Sequence, residues 1–103
     1  MKLEGKKVLV VGAGKSGIAA SELLLDKKIE TVLYDGNKDL DVEKLYEKAP
    51  KLKGMPVLLG ELTDEQLRAF DVAVLSPGVP TDLPVVERMR AQNVCIWGEI
   101  ELA

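Results

Sequence analysis

The sequence predicts an α/β fold: a doubly wound, mostly parallel sheet of five strands with helices on both faces. The first observation behind this prediction is that apolar runs of strand length alternate with segments of helical periodicity. Each parallel connection needs a covering helix, so this alternation favours a parallel sheet. The second observation is that the first apolar run leads into Gly12, Gly14 and Gly17, which have the spacing G-x-G-x-x-G. Between a strand and a helix, that spacing is typical of a Rossmann-like, nucleotide-binding unit.

The individual elements follow from apolar runs, helical spacing and capping signals. The first helix has apolar residues at i, i+3 and i+4 starting from Ala20, and Ser16 is expected to cap its amino end. Thr63 and Gln66 have the spacing of a capping box at the third helix. In chain order, the predicted strands cover 7–11, 32–35, 56–59, 72–75 and 94–97, and the predicted helices cover 16–28, 41–48, 63–69 and 83–91.

The glycine loop is the first candidate binding site. Gly12 allows the sharp turn, Gly14 allows close approach of a phosphate, and Gly17 allows the helix to pack tightly on the strand. The start of the next helix offers N–H groups and the positive end of a dipole, which suit an anion. The loop is not of the Walker A type, because that motif needs glycine where Leu9 stands. We interpret Lys15 as a solvated loop lysine, with direct phosphate contact as the alternative.

Two further loops are expected beside the glycine loop, because ligands of such sheets lie at the carboxyl ends of the strands. The second strand ends on Asp35, 18 residues after Gly17, close to the spacing of an acid that binds a ribose hydroxyl. The fourth strand ends in a turn in which Pro77 and Gly78 suit the two central positions. The sequence therefore predicts that loops 12–17, 35–37 and 76–79 converge.

Composition excludes several classes of function. A net charge of −3 and an aromatic content of 4% argue against nucleic acid as a partner. The chain has no histidine, which removes histidine acid–base chemistry and the commonest zinc ligand. The single Cys95 lies in an apolar run and is predicted to be a buried structural thiol. No stretch has the length of a membrane span and no signal peptide is recognisable, so a cytoplasmic protein without a membrane partner is expected.

Four segments together resemble the amino-terminal domain of the Mur ligases, in particular the branch that adds D-glutamate. They are residues 10–17, the strand ending in Asp35, the turn 75–79 and the segment 98–102, which reads G-E-I-E-L. The resemblance covers nearly the whole chain but only the first domain of that family. It implies that residues 1–103 form a single UDP-substrate-binding domain of a longer, multidomain ligase.

The resemblance also implies a ligand and a set of residues that contact it. The ligand is the UDP end of UDP-N-acetylmuramoyl-L-alanine, and no catalytic or metal-binding residue is implied in this stretch. The implied binding residues are Gly14, Lys15, Ser16 and Gly17 beside the diphosphate, Asp35, Gly36 and Asn37 toward the uracil ring, and Ser76, Pro77 and Gly78 on the diphosphate–sugar side.

The family's reaction, as the resemblance implies it, is driven by ATP. An acyl phosphate forms on the substrate carboxylate and the amine of D-glutamate attacks it. The ATP loop, the magnesium ligands and the glutamate site belong to later domains. We therefore expect this stretch to hold no cofactor, to catalyse nothing alone, and to work with the central and C-terminal domains of the same parent chain.

Two other functions fit the glycine fingerprint. In an NAD(P)-dependent oxidoreductase, Asp35 would bind an adenosine ribose. In a regulatory module, the same fold would sense a nucleotide without chemistry. A purely structural interpretation, with the glycines as turn residues and Asp35 as a strand-end cap, also stays open.

Overall fold

The molecule is built on one five-stranded sheet whose strands are all parallel. A computed structural model describes residues 5–76 and 84–98. The strands are β1 (Lys7–Val11), β2 (Glu30–Asp35), β3 (Val57–Leu59), β4 (Val72–Leu75) and β5 (Cys95–Gly98), and the helices are α1 (Lys15–Asp26), α2 (Val42–Lys48), α3 (Asp64–Arg68) and α4 (Pro84–Ala91), with a short 3₁₀ turn at Pro50–Leu52.

The strand order is β3-β2-β1-β4-β5, so the chain starts at the centre of the sheet and winds outward twice. It first runs from β1 through β2 to β3, then returns to β4 beside β1 and continues to β5. The direction of winding reverses between β1 and β4, and this switch point is where ligands of such sheets bind. The predicted α/β, doubly wound fold is confirmed.

Both faces of the sheet are covered, which explains why β4 and β1 after Lys7 are continuous apolar runs. Successive side chains of a strand point to opposite faces. Val8 and Val10 of β1 therefore belong to one core cluster with Leu24 of α1, whereas Leu9 belongs to a second cluster with Met89 of α4. The residues of β1 at 8–10 have no exposed surface. The core thus consists of two apolar layers that hold the sheet rigidly between the helices.

Most predicted boundaries agree with the structure to within two residues. The strands predicted at 7–11 and 72–75 are confirmed with the same bounds. The capping box at α3 is also confirmed: the Thr63 hydroxyl accepts from the Gln66 N–H at 3.1 Å, and the Gln66 side chain accepts from the Thr63 N–H at 2.8 Å.

The prediction of a buried Cys95 is wrong, because this thiol is exposed. Cys95 is the first residue of β5, and β5 is an edge strand of the sheet. Two residues later, Trp97 is buried. Val94, directly before Cys95, is buried as well, so the run is in the core on both sides of Cys95 and this one side chain faces solvent. None of the helices within residues 5–76 and 84–98 has the length and apolar character to cross a membrane.

Candidate functional site

The glycine loop between β1 and α1 is held by the end of the neighbouring strand. Gly12 has φ +103°, a conformation that other residues rarely adopt, so its predicted role in the turn is confirmed. Its N–H donates to the Tyr34 carbonyl of β2 at 2.7 Å. The first helical hydrogen bond follows directly, from the Ile18 N–H to the Gly14 carbonyl at 3.0 Å. The predicted strand–turn–helix is therefore present.

Gly17 packs against the turn so closely that no side chain fits. A Cβ at this position would lie 1.7 Å from the Gly12 carbonyl oxygen and 3.2 Å from the Ser76 hydroxyl oxygen. Gly17 is buried and is the third residue of α1. The predicted packing role of Gly17 is confirmed, since its missing side chain lets α1 start directly beside the end of β1.

The amino end of α1 faces solvent. Gly14 is its N-cap, in an extended conformation with φ −75°, and a Cβ there would meet no heavy atom within 4 Å. The prediction that Ser16 caps the helix is wrong, because Ser16 lies inside the first turn and no side chain caps α1. Lys15 is exposed, in agreement with a solvated lysine. The N–H groups of this first turn can therefore donate to an anion.

Asp35 connects two loops through its carboxylate. One oxygen, Oδ2, accepts from the Ala13 N–H of the glycine loop at 2.9 Å. The other, Oδ1, accepts from the Asn37 N–H of the turn after β2 at 2.8 Å. Gly36 and Asn37 are exposed on this turn, beside the half-buried Asp35. The structure therefore brings loops 12–17 and 35–37 together, as predicted.

Ser76 adds the end of β4 to this cluster. Its N–H donates to the Val11 carbonyl at 3.1 Å, and its hydroxyl donates to the Gly12 carbonyl at 3.4 Å. Ser76 is half-buried and lies directly against the glycine loop. The predicted convergence is thus confirmed for loops 12–17 and 35–37 and for Ser76, the first residue of the third loop. Pro77, Gly78 and Val79, which complete the predicted turn, lie outside the described residues.

The turn after β3 also belongs to this edge, although it was not among the loops predicted from the sequence. The Gly60 N–H donates to the Asp35 carbonyl at 3.0 Å, and the Tyr34 hydroxyl donates to the Gly60 carbonyl at 2.5 Å. Burial, and then the nearby Asp35 carboxylate, raise the pKa of Tyr34, so its hydroxyl remains a donor at neutral pH. The sequence did carry one signal for this turn, a glycine directly after an apolar run. In the structure that residue, Gly60, has φ +78°, a conformation that favours glycine.

A groove of about 370 Å³ lies at the opposite, amino edge of the sheet. It contains none of the residues that the sequence analysis assigned to a site. Within the described ranges, no cluster of three or more carboxylate and cysteine side chains could hold a metal ion. The groove is lined by Lys6, Arg68, Phe70, Asp71, Val72, Gln92, Asn93 and Cys95.

Comparison with known proteins identifies the family to which this geometry belongs. Residues 6–98 match the family described as Mur ligase MurD-like, N-terminal domain. The chain belongs to this family. It is 48% identical over its full length to the UDP-N-acetylmuramoylalanine–D-glutamate ligase of Lachnoclostridium phytofermentans, and 40% identical to that of Thermoanaerobacter pseudethanolicus. It spans only 23% and 22% of the length of these two relatives. The resemblance inferred from the sequence is confirmed.

Solved structures with the same fold include both ligases and dehydrogenase-type enzymes. A pseudomurein peptide ligase type C from Methanothermus fervidus has a TM-score of 0.72 at 16% identity, covering 94% of this chain and 20% of that one. The UDP-N-acetylmuramate-alanine ligase of Thermotoga maritima has a TM-score of 0.67 at 19% identity, covering 94% and 21%. An NADH-preferring ketol-acid reductoisomerase from an uncultured archaeon has a TM-score of 0.60 at 22% identity, covering 93% and 29%. At these identities the likeness extends to the fold alone.

Proposed function

We propose that this chain binds the UDP part of UDP-N-acetylmuramoyl-L-alanine, as the amino-terminal domain of a ligase that adds D-glutamate in peptidoglycan biosynthesis. The observation that carries the proposal is the family match over residues 6–98, together with relatives named for this substrate. The fold alone would not distinguish UDP from NAD, because a reductoisomerase shares it. The family match therefore favours UDP.

The exposed start of α1 is the proposed diphosphate site. The first-turn N–H groups of Lys15, Ser16 and Gly17, with the Ser16 hydroxyl, donate to the phosphate oxygens. Gly14 leaves open space in front of them, so a phosphate can approach the backbone. Ser76 lies beside the same loop, hydrogen-bonded to the Gly12 carbonyl, on the diphosphate–sugar side. Pro77 and Gly78, which follow Ser76 in sequence, are proposed to complete that side.

The uracil ring is proposed to lie over the turn after β2. Asp35, Gly36 and Asn37 form this turn, and the last two are exposed. The Asp35 carboxylate connects this turn to the glycine loop, so a uracil ring bound here and a diphosphate bound at α1 would share one rigid support. Such an arrangement suits a ligand with a base at one end and two phosphates next to it.

The chemistry of the complete ligase is proposed to depend on parts of the protein beyond these residues. This chain spans about a quarter of the length of its curated relatives. ATP, Mg²⁺ and D-glutamate are accordingly assigned to a central and a C-terminal domain of the parent protein. In this proposal residues 1–103 form one domain that positions the nucleotide-sugar substrate in the cytoplasm and catalyses no step alone.

Isothermal titration calorimetry with three ligands tests the proposed function. UDP and UDP-N-acetylmuramoyl-L-alanine are expected to bind the chain, and NAD is not. The nucleotide-sugar carries more groups than UDP, so it is expected to bind at least as tightly. Binding of NAD with no response to UDP would contradict the proposal and favour an oxidoreductase domain. UMP serves as the matched control ligand, because it keeps the uracil ring and lacks the second phosphate.

A further inference from the structure

Asp35 uses both oxygens of its carboxylate on backbone N–H groups, one in each of two neighbouring loops. The two bonds, to Ala13 and to Asn37, measure 2.9 Å and 2.8 Å. Distances of this length are typical of charge-assisted hydrogen bonds, which are stronger than neutral ones. Ala13 is 22 residues away in sequence, so this bond joins parts of the chain that are otherwise independent.

The backbone around Asp35 is fixed as well. Its carbonyl accepts from the Gly60 N–H at 3.0 Å, and the carbonyl of Tyr34 accepts from the Gly12 N–H at 2.7 Å. The carboxylate is therefore presented from a rigid strand end. Ala13, by contrast, stands between two glycines, the residue type with the greatest backbone freedom. The end of β2 therefore holds the glycine loop in place, and not the reverse.

We propose that Asp35 is a positioning residue: it fixes the glycine loop and the turn after β2 at one spacing before a ligand binds. Its effect on UDP binding rests on the proposed function. A loop that is ordered in advance loses less conformational entropy when the diphosphate binds, so affinity rises. Each carboxylate oxygen keeps a second acceptor site, so Asp35 can hold the two segments and still face the exposed Gly36 and Asn37 side of the site.

Replacement of Asp35 by asparagine separates its two bonds. An asparagine side chain has one acceptor oxygen and one NH₂ donor. The oxygen can keep the bond to the Asn37 N–H, because asparagine forms this local turn readily. The NH₂ group would then face the Ala13 N–H, donor against donor. Asp35→Asn is therefore expected to release the glycine loop alone, and Asp35→Ala is expected to release both segments.

Amide hydrogen exchange of the ligand-free chain, measured by NMR, tests the proposal directly. Asp35→Asn should speed exchange at Ala13 about tenfold or more and leave Asn37 nearly unchanged, whereas Asp35→Ala should speed both. Asp41→Asn is the matched control, because the Asp41 carboxylate also accepts a backbone N–H, from Lys44 at 3.1 Å, but at the start of α2. This control should leave Ala13 and Asn37 unchanged. Unchanged exchange at Ala13 in both Asp35 variants would overturn the proposal.

A UDP titration of the same variants gives the functional readout. Asp35→Asn should weaken UDP binding about tenfold, whereas Asp41→Asn, which keeps a good N-cap residue at α2, should leave UDP affinity unchanged. Wild-type affinity in a variant whose Ala13 amide is released would also overturn the positioning role. Faster exchange at Ala13 in a chain whose wild type binds no UDP would leave the structural role of Asp35 intact and remove the proposed function instead.

Discussion

The two edges of the sheet differ in what they offer to a ligand. At the carboxyl edge the surface is made largely of backbone: a glycine loop, two turns and the start of α1, joined by Asp35. At the amino edge the groove of about 370 Å³ is lined by side chains such as Lys6, Arg68 and Gln92. The amino edge thus offers a concave surface of mixed side chains, whereas the carboxyl edge offers a set of backbone N–H donors.

Helix direction explains why the carboxyl edge suits a diphosphate. In a parallel α/β fold the helices begin at the carboxyl edge and end at the amino edge, so their positive dipole ends face the first and their negative ends the second. Arg68 lies in the last turn of α3, where its charge offsets the negative end of that helix. The direction of the helix dipoles therefore indicates where an anion can bind better than the size of a groove does.

Replacing Gly17 by alanine should have the largest effect and should damage the carboxyl edge first. The new methyl group would lie 1.7 Å from the Gly12 carbonyl oxygen, so the turn and α1 must move apart. We expect a loss of roughly 3 kcal/mol in the free energy of unfolding, measured with urea, and loss of detectable UDP binding. Wild-type stability would show that the loop tolerates a side chain and is not packed as described.

Gly14→Ala is the matched control in the same loop. A Cβ at Gly14 meets no heavy atom within 4 Å, so stability should change by no more than about 1 kcal/mol, the size of an N-cap effect. The methyl group would nevertheless occupy the space that a phosphate needs, and UDP binding should weaken. Unchanged UDP binding in Gly14→Ala would place the diphosphate away from this loop.

Asp71 allows the same carboxylate chemistry to be tested at the amino edge. Its Oδ2 accepts from the Lys7 N–H at 2.9 Å, much as Asp35 accepts from Ala13. Asp71→Ala should lower the free energy of unfolding by about 0.5–1.5 kcal/mol, the typical net worth of a hydrogen bond, and leave UDP affinity unchanged within error. A loss of UDP affinity in this variant, measured by calorimetry, would remove the distinction between the two edges.

The sequence predicted the parts of the fold that depend on burial on both faces. β4 and the part of β1 after Lys7 are buried in the middle of the sheet, so the apolar run and the strand nearly coincide. β2 begins at Glu30, two residues before the predicted strand, because an exposed Glu30 carries no apolar signal although it pairs with Lys7. The prediction that Cys95 is buried was wrong because an apolar run does not reveal that its strand lies at the edge of the sheet.

The candidate site was predictable in its location and less so in its contacts. Ligands of parallel sheets lie at the carboxyl ends of the strands, which is why loops 12–17 and 35–37 and Ser76 were expected to meet. The bond from the Ala13 N–H to Asp35 and the contact of Gly60 with the end of β2 join residues that are far apart in sequence. Such bonds depend on the spacing of adjacent strand ends, so a glycine such as Gly60 can mark a turn in the sequence without revealing what that turn contacts.

The central claim is that the carboxyl edge, and not the amino-edge groove, binds the nucleotide. It is tested most directly by titrating the ¹⁵N-labelled chain with UDP and following the backbone amide signals. We expect the largest shifts at residues 14–17, at Gly36 and Asn37, and at Ser76. The signals of Lys6, Asn93 and Cys95 should stay in place. Shifts concentrated on those three residues, with the glycine loop unaffected, would contradict it.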